Sequence, residues 1–311
     1  MQQTMIYGIR QRNMTQVIAT GGTESTFEQG GKTYRTHTFL ANGDFVVTQG
    51  GEVEYLIVAG AGGGGGGRRD PSGGGGGAGG LLVGNIALDA GEYPVSIGAG
   101  GEGGGFGSPG DNGENSSGFG LTAIGGGGGG AMGTNGLNGG SGGGAGTRSL
   151  VPGSEGGAGT PGQGFGGGNR SSLDGAGPSA AGGGATAPGE NSPASGIAQG
   201  GAGLISDLSG EPVEYARGGN GNWRDGQIVA GQTAPRGWGG QGGAGNSEEN
   251  FENVPGENGG SGIVIVRYEI LPDPIPRVKV AGTFVPIAPK VKIGGTFVEK
   301  TPQIKQGGSF S

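Results

Sequence analysis

Between residues 33 and 58, polar and apolar side chains alternate in the manner of β-strands. The run Thr36–Val47 has β-prone arms on both sides of Asn42-Gly43, a dipeptide that is typical of tight hairpin turns. Val53–Val58 follows and becomes wholly apolar. The pattern therefore predicts a hairpin turning at Asn42-Gly43 and a further strand after it.

A second strand-like run, Ile263–Tyr268, occurs much later in the chain. We expect it to return to the sheet that residues 36–58 begin. Between the two lie three shorter apolar islands, at 81–88, 93–97 and 121–124, and the period-two alternation of the second predicts a strand. The fold class predicted from these runs is all-β: a β-sandwich-like domain over residues 23–270, with a long insertion at 59–262.

The insertion is a glycine array. Eight glycines precede it and five follow it, so 76 of the 89 in the sequence lie inside. Such a segment cannot bury a side-chain core, but it can adopt the extended left-handed helix with three residues per turn, in which every backbone group is free to bond a neighbour. We therefore predict a polyglycine II-type lattice, supported by Cα–H···O contacts. Prolines and the Asn-Gly pairs at 112–113, 135–136, 138–139 and 220–221 are expected to reverse the chain at the lattice ends.

The two ends of the sequence differ from this array. Residues 1–22 are polar and are interpreted as an attachment segment. Residues 271–277 form a proline-rich linker, which is a stiff spacer. Residues 278–311 contain three units with a period of 13, each read as strand, glycine turn and strand, and so predict small β-hairpin repeats.

Composition narrows the possible chemistry. The formal net charge is −7 and there is no dense run of Lys or Arg, which argues against nucleic-acid binding. There is no cysteine and a single histidine, so neither disulfides nor thiolate metal sites can form. No apolar run is long enough for membrane insertion, and no secretory signal is recognisable in a chain expected to be made in the cytoplasm. We expect no cofactor, no metal site and no catalytic residues.

Three short sequence features suggest sites, but each lacks an element that the site requires. Gly30-Gly31-Lys32-Thr33 lacks the first glycine of a phosphate loop, because Thr26 occupies that position. Gly218–Asn222 resembles half of a calcium-binding repeat, but Trp223 stands in place of the aspartate. His37 has no partner in a catalytic motif and is expected to be an ordinary strand residue.

A group of aromatic and basic residues late in the array offers candidate receptor contacts. Aromatic side chains flanked by polar residues are common in recognition surfaces, but they could equally fill gaps beside the lattice or at a subunit interface. Both readings stay open for these residues, which are Trp223, Arg224, Arg236, Trp238 and Phe251.

The order of the motifs resembles the glycine-rich domain of bacteriophage tail-fibre and adhesin proteins. The resemblance rests on Val53–Gly60 running into polyglycine, on Tyr93–Gly101 and on the closing Gly262–Tyr268 strand, and it covers residues 20–270. It implies a polyglycine sandwich whose end loops contact the host surface, without catalytic residues.

The function expected from the sequence is that of a non-enzymatic virion fibre or adhesin. Residues 1–22 would dock to other virion proteins, and the loops or C-terminal repeats would bind a host polysaccharide or outer-membrane protein. A homotrimer is expected because association supplies neighbours that help to order so many glycines. Two alternatives are a virion structural or head-fibre protein that binds no receptor, and a cellular glycine-rich surface or ice-binding protein.

Overall fold

The computed structural model describes residues 16–67, 73–148, 153–170, 178–194, 196–221 and 255–271, together with four strands between residues 277 and 299. This part of the chain contains strands and no helix, which confirms the predicted all-β class. The strands are β1 (Ile18–Thr20), β2 (Thr23–Gln29), β3 (Lys32–Phe39), β4 (Gly43–Gln49), β5 (Gly51–Val58), β6 (Leu81–Leu88), β7 (Gly91–Val95), β8 (Ser116–Gly118), β9 (Leu121–Ala123), β10 (Leu204–Ser206), β11 (Val213–Tyr215), β12 (Ile263–Ile270), β13 (Arg277–Val280), β14 (Thr283–Pro286), β15 (Lys290–Ile293) and β16 (Thr296–Glu299).

The larger sheet has five antiparallel strands in the order β2-β3-β12-β5-β6. β12 lies in the middle, with Val264 opposite Phe39 on β3 and opposite Ile57 on β5. The predicted return of this strand to the sheet is confirmed. Ile263–Val266 is apolar without alternation because both faces of β12 are covered, and all four residues are buried.

The hairpin predicted at Asn42-Gly43 is wrong. β3 and β4 do not pair; β4 lies between β1 and β7 in a second, three-stranded sheet. A type I′ turn needs a positive φ at both central residues, and neither Asn42 nor Gly43 has one. The chain instead crosses from one sheet to the other here, and the Asn42 side chain accepts a hydrogen bond from the N–H of Ile97 at 2.8 Å.

The two sheets enclose an aromatic core. Phe45 on β4 is fully buried and packs edge-on against Phe39, His37 and Phe119, with ring centroids 5.0–6.4 Å apart. The opposite face of the larger sheet carries a second apolar cluster, which includes Leu56, Ile265, Leu208 and Tyr215. Since the last two come from the glycine array, the array supplies the cover for that face.

The tight hairpin of the larger sheet lies at Gly30-Gly31. Gln29 pairs with Lys32, and the two intervening glycines have φ values of +59° and +77°. This is the geometry of a two-residue type I′ loop. The Gly30-Gly31 pair, which resembles part of a phosphate loop in the sequence, therefore forms a structural turn.

β5, β6 and β12 continue without interruption into the glycine lattice, and segment 59–67 lies at its centre. The N–H groups of this segment donate in three sets, and each set repeats every third residue and bonds a different antiparallel neighbour. The sets are Ala59, Gly62 and Gly65 to residues 80, 77 and 74; Gly60, Gly63 and Gly66 to residues 114, 111 and 108; and Ala61 and Gly64 to residues 260 and 257, all at 2.9–3.0 Å. A period of three matches the polyglycine II helix, so the predicted lattice is confirmed.

Asn112-Gly113 and Asn138-Gly139 are not chain reversals, contrary to the prediction from the sequence. Asn112, Asn138 and Asn220 lie within lattice segments, and their side-chain oxygens accept hydrogen bonds from backbone N–H groups of adjacent segments at 2.7–2.9 Å. An outer segment has no further backbone on its solvent side. The amide side chain supplies the missing acceptor there. Most reversals among the described residues are instead formed by a dipeptide whose second residue is a glycine with a positive φ, as at Phe119-Gly120 and Met132-Gly133.

Removing one of these amides is expected to lower stability modestly. Asn138→Ala leaves the N–H of Ala158, now bonded at 2.7 Å, without its acceptor, and should cost about 1 kcal/mol of unfolding free energy. Asn138→Asp keeps an oxygen at this position and should cost clearly less. Urea denaturation of both variants measures the difference; equal losses would contradict the role given to the side-chain oxygen.

The residues from Leu271 onward form a separate unit. Within it, β13 pairs with β14 and β15 pairs with β16, which confirms strand pairing in the first two predicted repeats. The registers are equivalent: Val278 lies opposite Val285, and Val291 lies opposite Val298. The third predicted repeat, 304–310, lies outside the described residues.

Candidate functional site

The end of the lattice that is remote from the two sheets is the candidate site, here called the far end. Segment 59–67 runs outward from β5 and segment 73–80 returns to β6, so Ala59 pairs with Gly80 beside the sheet and Gly65 pairs with Gly74 further out. Further segments repeat this outward and return course. At about 3.1 Å per residue, the far end lies about 20 Å beyond the sheet.

Two reversals at the far end are described in full, at 105–108 and 131–134. Each is closed by a backbone hydrogen bond, from Ser108 to Gly105 and from Thr134 to Ala131. The loops are adjacent, because a Cβ on Gly107 would lie 2.1 Å from the Met132 sulfur. Met132 has a φ of 45°, which is uncommon for a residue with a side chain. Together the loops present an aromatic ring, Phe106, which is 46% exposed.

A buried arginine lies near the same end. Arg170 is 8% exposed; its N–H donates to the Ser154 carbonyl, and its guanidinium donates to the carbonyl of Arg148. Burial lowers the pKa of Arg170 from its ordinary value. Arg148 itself is exposed, so the far end offers at least one accessible cation.

The candidate receptor residues Trp223, Arg224, Arg236, Trp238 and Phe251 lie outside the described residues. The residues that flank them are placed. The N–H of Gly221 donates to Ala198, and that of Gly256 donates to Gly104, directly before the 105–108 reversal. The described lattice segments on either side of these candidates therefore end and begin at the far end.

His37 is the single histidine of the chain, and the structure gives it a core position rather than a place at the far end. Its Nδ1 lies 2.8 Å from the Gly21 carbonyl and its Nε2 lies 3.1 Å from the Tyr268 hydroxyl. Because a carbonyl can only accept, Nδ1 carries the proton and Nε2 accepts from the hydroxyl. Burial lowers the pKa of His37 and raises that of Tyr268. The neutral imidazole therefore joins the β1–β2 connection to β12.

Stability should depend on pH through this histidine. The folded pKa lies below the unfolded value of about 6.5, since the effect of burial outweighs those of the Gly21 carbonyl and the nearby Glu24 carboxylate; Arg35 lowers it further. The stabilisation is complete above the unfolded pKa. It is lost as the pH falls from there toward the folded pKa, by up to about 1.4 kcal/mol per pH unit. Urea unfolding of wild type and His37→Gln from about pH 8 to 5 tests this. An unchanged slope in the variant would contradict it.

The described part of the chain contains no group of three or more His, Asp or Glu side chains positioned to hold a metal ion. A helix with the length and apolar character needed to cross a membrane is likewise not found there.

Comparison with known families agrees with this architecture. Residues 40–269 match the glycine-rich domain family. The chain belongs to this family. The comparison with curated proteins gave no match. In this glycine-rich domain, the matched region runs from the crossover after β3 to the penultimate residue of β12, and so includes the whole lattice.

Some contributors to the far end of this glycine-rich domain were missed from the sequence. Phe106 lies between two glycines and Met132 between Ala131 and Gly133, so both lack the polar neighbours that drew attention to Trp223 and Trp238. The sequence does contain a signal for them. Phe106 and Met132 are large residues that each precede a glycine at a point where two lattice segments meet.

Proposed function

We propose that the protein is a non-enzymatic fibre or adhesin of a bacteriophage particle, whose far end contacts the bacterial surface. This proposal rests on the difference between the two ends of the domain. The far end holds reversals of the lattice, whereas the connections to the segments before and after the domain lie at the opposite end.

The opposite end is defined by strand pairing. Ile270, at the end of β12, pairs with Thr33 beside the Gly30-Gly31 turn. Ile18 pairs with Gln49, directly before the start of β5. The chain thus enters and leaves the sandwich away from the lattice. An attachment segment and a contact surface can act at the two ends of one body without competing.

The lattice suits such a body because its strength comes from the backbone. Interior segments bond neighbours on several sides, and their carbonyls and N–H groups are used within the lattice. Side chains at the far-end reversals are therefore free to vary without loss of the core between the sheets. Several copies on one particle would bind with avidity even when each contact is weak.

The proposed partner is a polysaccharide or an outer-membrane protein of the host. Fluorescently labelled protein, incubated with a panel of intact bacteria and competed with unlabelled protein, tests this. We expect saturable, competable binding to a subset of strains. Its absence for folded protein across a broad panel of hosts would instead favour a virion structural role without receptor binding.

Matched variants locate the contact. Trp223→Ala/Trp238→Ala alters two candidates that lie in the sequence between Gly221 and Gly256, and Phe106→Ala alters a described far-end loop. Ile18→Ala is the control, since Ile18 is 47% exposed, against 46% for Phe106, and lies at the opposite end. We expect at least one of these variants to bind more weakly than wild type. The Ile18→Ala control should bind as strongly as wild type. Loss in the control alone would contradict the proposed polarity.

A further inference from the structure

Among the described strands, β6 is the last in the larger sheet and has a partner on one side only. It pairs with β5 along its whole length, from Leu81 opposite Val58 to Leu88 opposite Gly51. On its other side, the N–H of Leu81 donates to the Gln163 carbonyl. Within the described part of the chain, no further backbone hydrogen bond reaches residues 82–88 from that side. A row of backbone donors and acceptors is therefore available to another strand.

The side chains of β6 make this edge apolar. Its sequence is LLVGNIAL, without a charged residue or a proline. Val83 is 48% exposed, while Leu82 and Ile86 pack against the aromatic core. Beside the edge lies a groove whose walls include Leu82, Val83, Ala185 and Leu204. An added strand would cover apolar surface as well as backbone.

The other edges of the two sheets carry the features that normally prevent edge pairing. β2 bears Glu24 and Glu28, both exposed. β1 has only three residues. β7 contains Pro94 and Glu92. Among these described edges, only β6 is long and free of both charged residues and proline. This pattern is typical of an edge strand that pairs with another strand.

We propose that β6 pairs antiparallel with β6 of a second copy of this chain, around a twofold axis perpendicular to the sheet. Such an axis keeps each face of the sheet continuous, so Leu82 and Ile86 of both copies lie on the core side. Val83, Asn85 and Ala87 lie together on the other side. Pairing β6 with β2 of a copy would instead bring Glu24 and Glu28 beside Val83, and pairing β2 with itself would bring carboxylates together.

The oligomeric state tests this pairing independently of receptor binding. Light scattering with size-exclusion chromatography on the full chain should give a dimer. Val83→Lys should raise the dimer dissociation constant by about tenfold or more, because a charge at an edge opposes pairing. Thr23→Lys, on the edge of β2, is the matched control and should leave the dimer intact. Circular dichroism verifies that both variants are folded.

Amide hydrogen exchange gives a second readout that does not depend on the variants. In the wild-type chain, protection of residues 82–88 should rise with protein concentration, while that of β2 should not. A monomer at all concentrations, the homotrimer expected from the sequence, or a dimer that Val83→Lys leaves unchanged would each overturn the proposal. Protection that is already complete in a monomer would show that another segment of the same chain occupies the edge, and would also overturn it.

Discussion

Replacing Gly63 with alanine should destabilise the protein by about 3 kcal/mol or more. Gly63 lies in the central lattice segment, where an added Cβ would be 2.1 Å from the Glu102 carbonyl oxygen and 2.5 Å from its carbon. These atoms belong to a neighbouring backbone that is itself hydrogen-bonded, so they cannot move aside as a flexible side chain would. Chemical unfolding monitored by circular dichroism measures the loss.

Gly105→Ala is the matched control. A Cβ at this position meets no heavy atom within 4 Å, and Gly105 does not have a positive φ. Its replacement should change stability by no more than about 0.5 kcal/mol, or raise it slightly, because alanine restricts the unfolded chain. Similar losses in both variants would show that glycine acts through chain flexibility and not through close backbone packing.

Arg267→Ala should cost about 3 kcal/mol, the second large effect. Arg267 is 7% exposed on β12 and makes two hydrogen bonds, of 2.6 and 3.2 Å, to the Glu54 carboxylate on β5. Its guanidinium lies 4.6 Å from the centre of the Tyr34 ring and also donates to Gln29 and to the Asp207 carbonyl. Removal would leave the partly buried Glu54 carboxylate without its cation and remove one of the hydrogen bonds that hold the loop after β10.

The control for this variant is another ion pair of the same sheet. Lys32 lies 2.7 Å from Glu269, but its side chain is largely exposed. Exposed pairs contribute little, so Lys32→Ala should leave the unfolding midpoint nearly unchanged. Thermal unfolding of both variants compares the two pairs. A loss for Lys32→Ala as large as that for Arg267→Ala would contradict the importance given to burial.

Sequence reasoning succeeded where side chains carry the information. The strand-like run Ile263–Tyr268 predicted a strand that returns to the sheet, and β12 occupies the centre of that sheet. The composition of segment 59–67 indicated a threefold backbone lattice, and its hydrogen bonds repeat every third residue. Both inferences rest on what a residue type permits at its own position.

The failures concern pairings that residue type does not specify. The Asn42-Gly43 dipeptide is compatible both with a hairpin and with a crossover between sheets. The chain crosses between the sheets here, and this places Phe39 on β3 against Phe45 on β4. Asn138 was read as a turn residue, because its role requires knowing that Ala158 lies beside it. Within the lattice, a glycine segment has no side chain to identify its neighbours, so their order could not be derived from the sequence.

Amide hydrogen exchange of the central lattice segment tests the account most directly. If residues 59–67 and 124–131 form a hydrogen-bonded lattice continuous with the sheet, their amides should exchange as slowly as those of β12, through unfolding of the whole domain. Mass spectrometry of peptides covering these three segments gives the comparison. Rapid exchange of the glycine segments beside a protected β12 would contradict an ordered lattice, and with it a rigid body that holds the far end away from the sandwich.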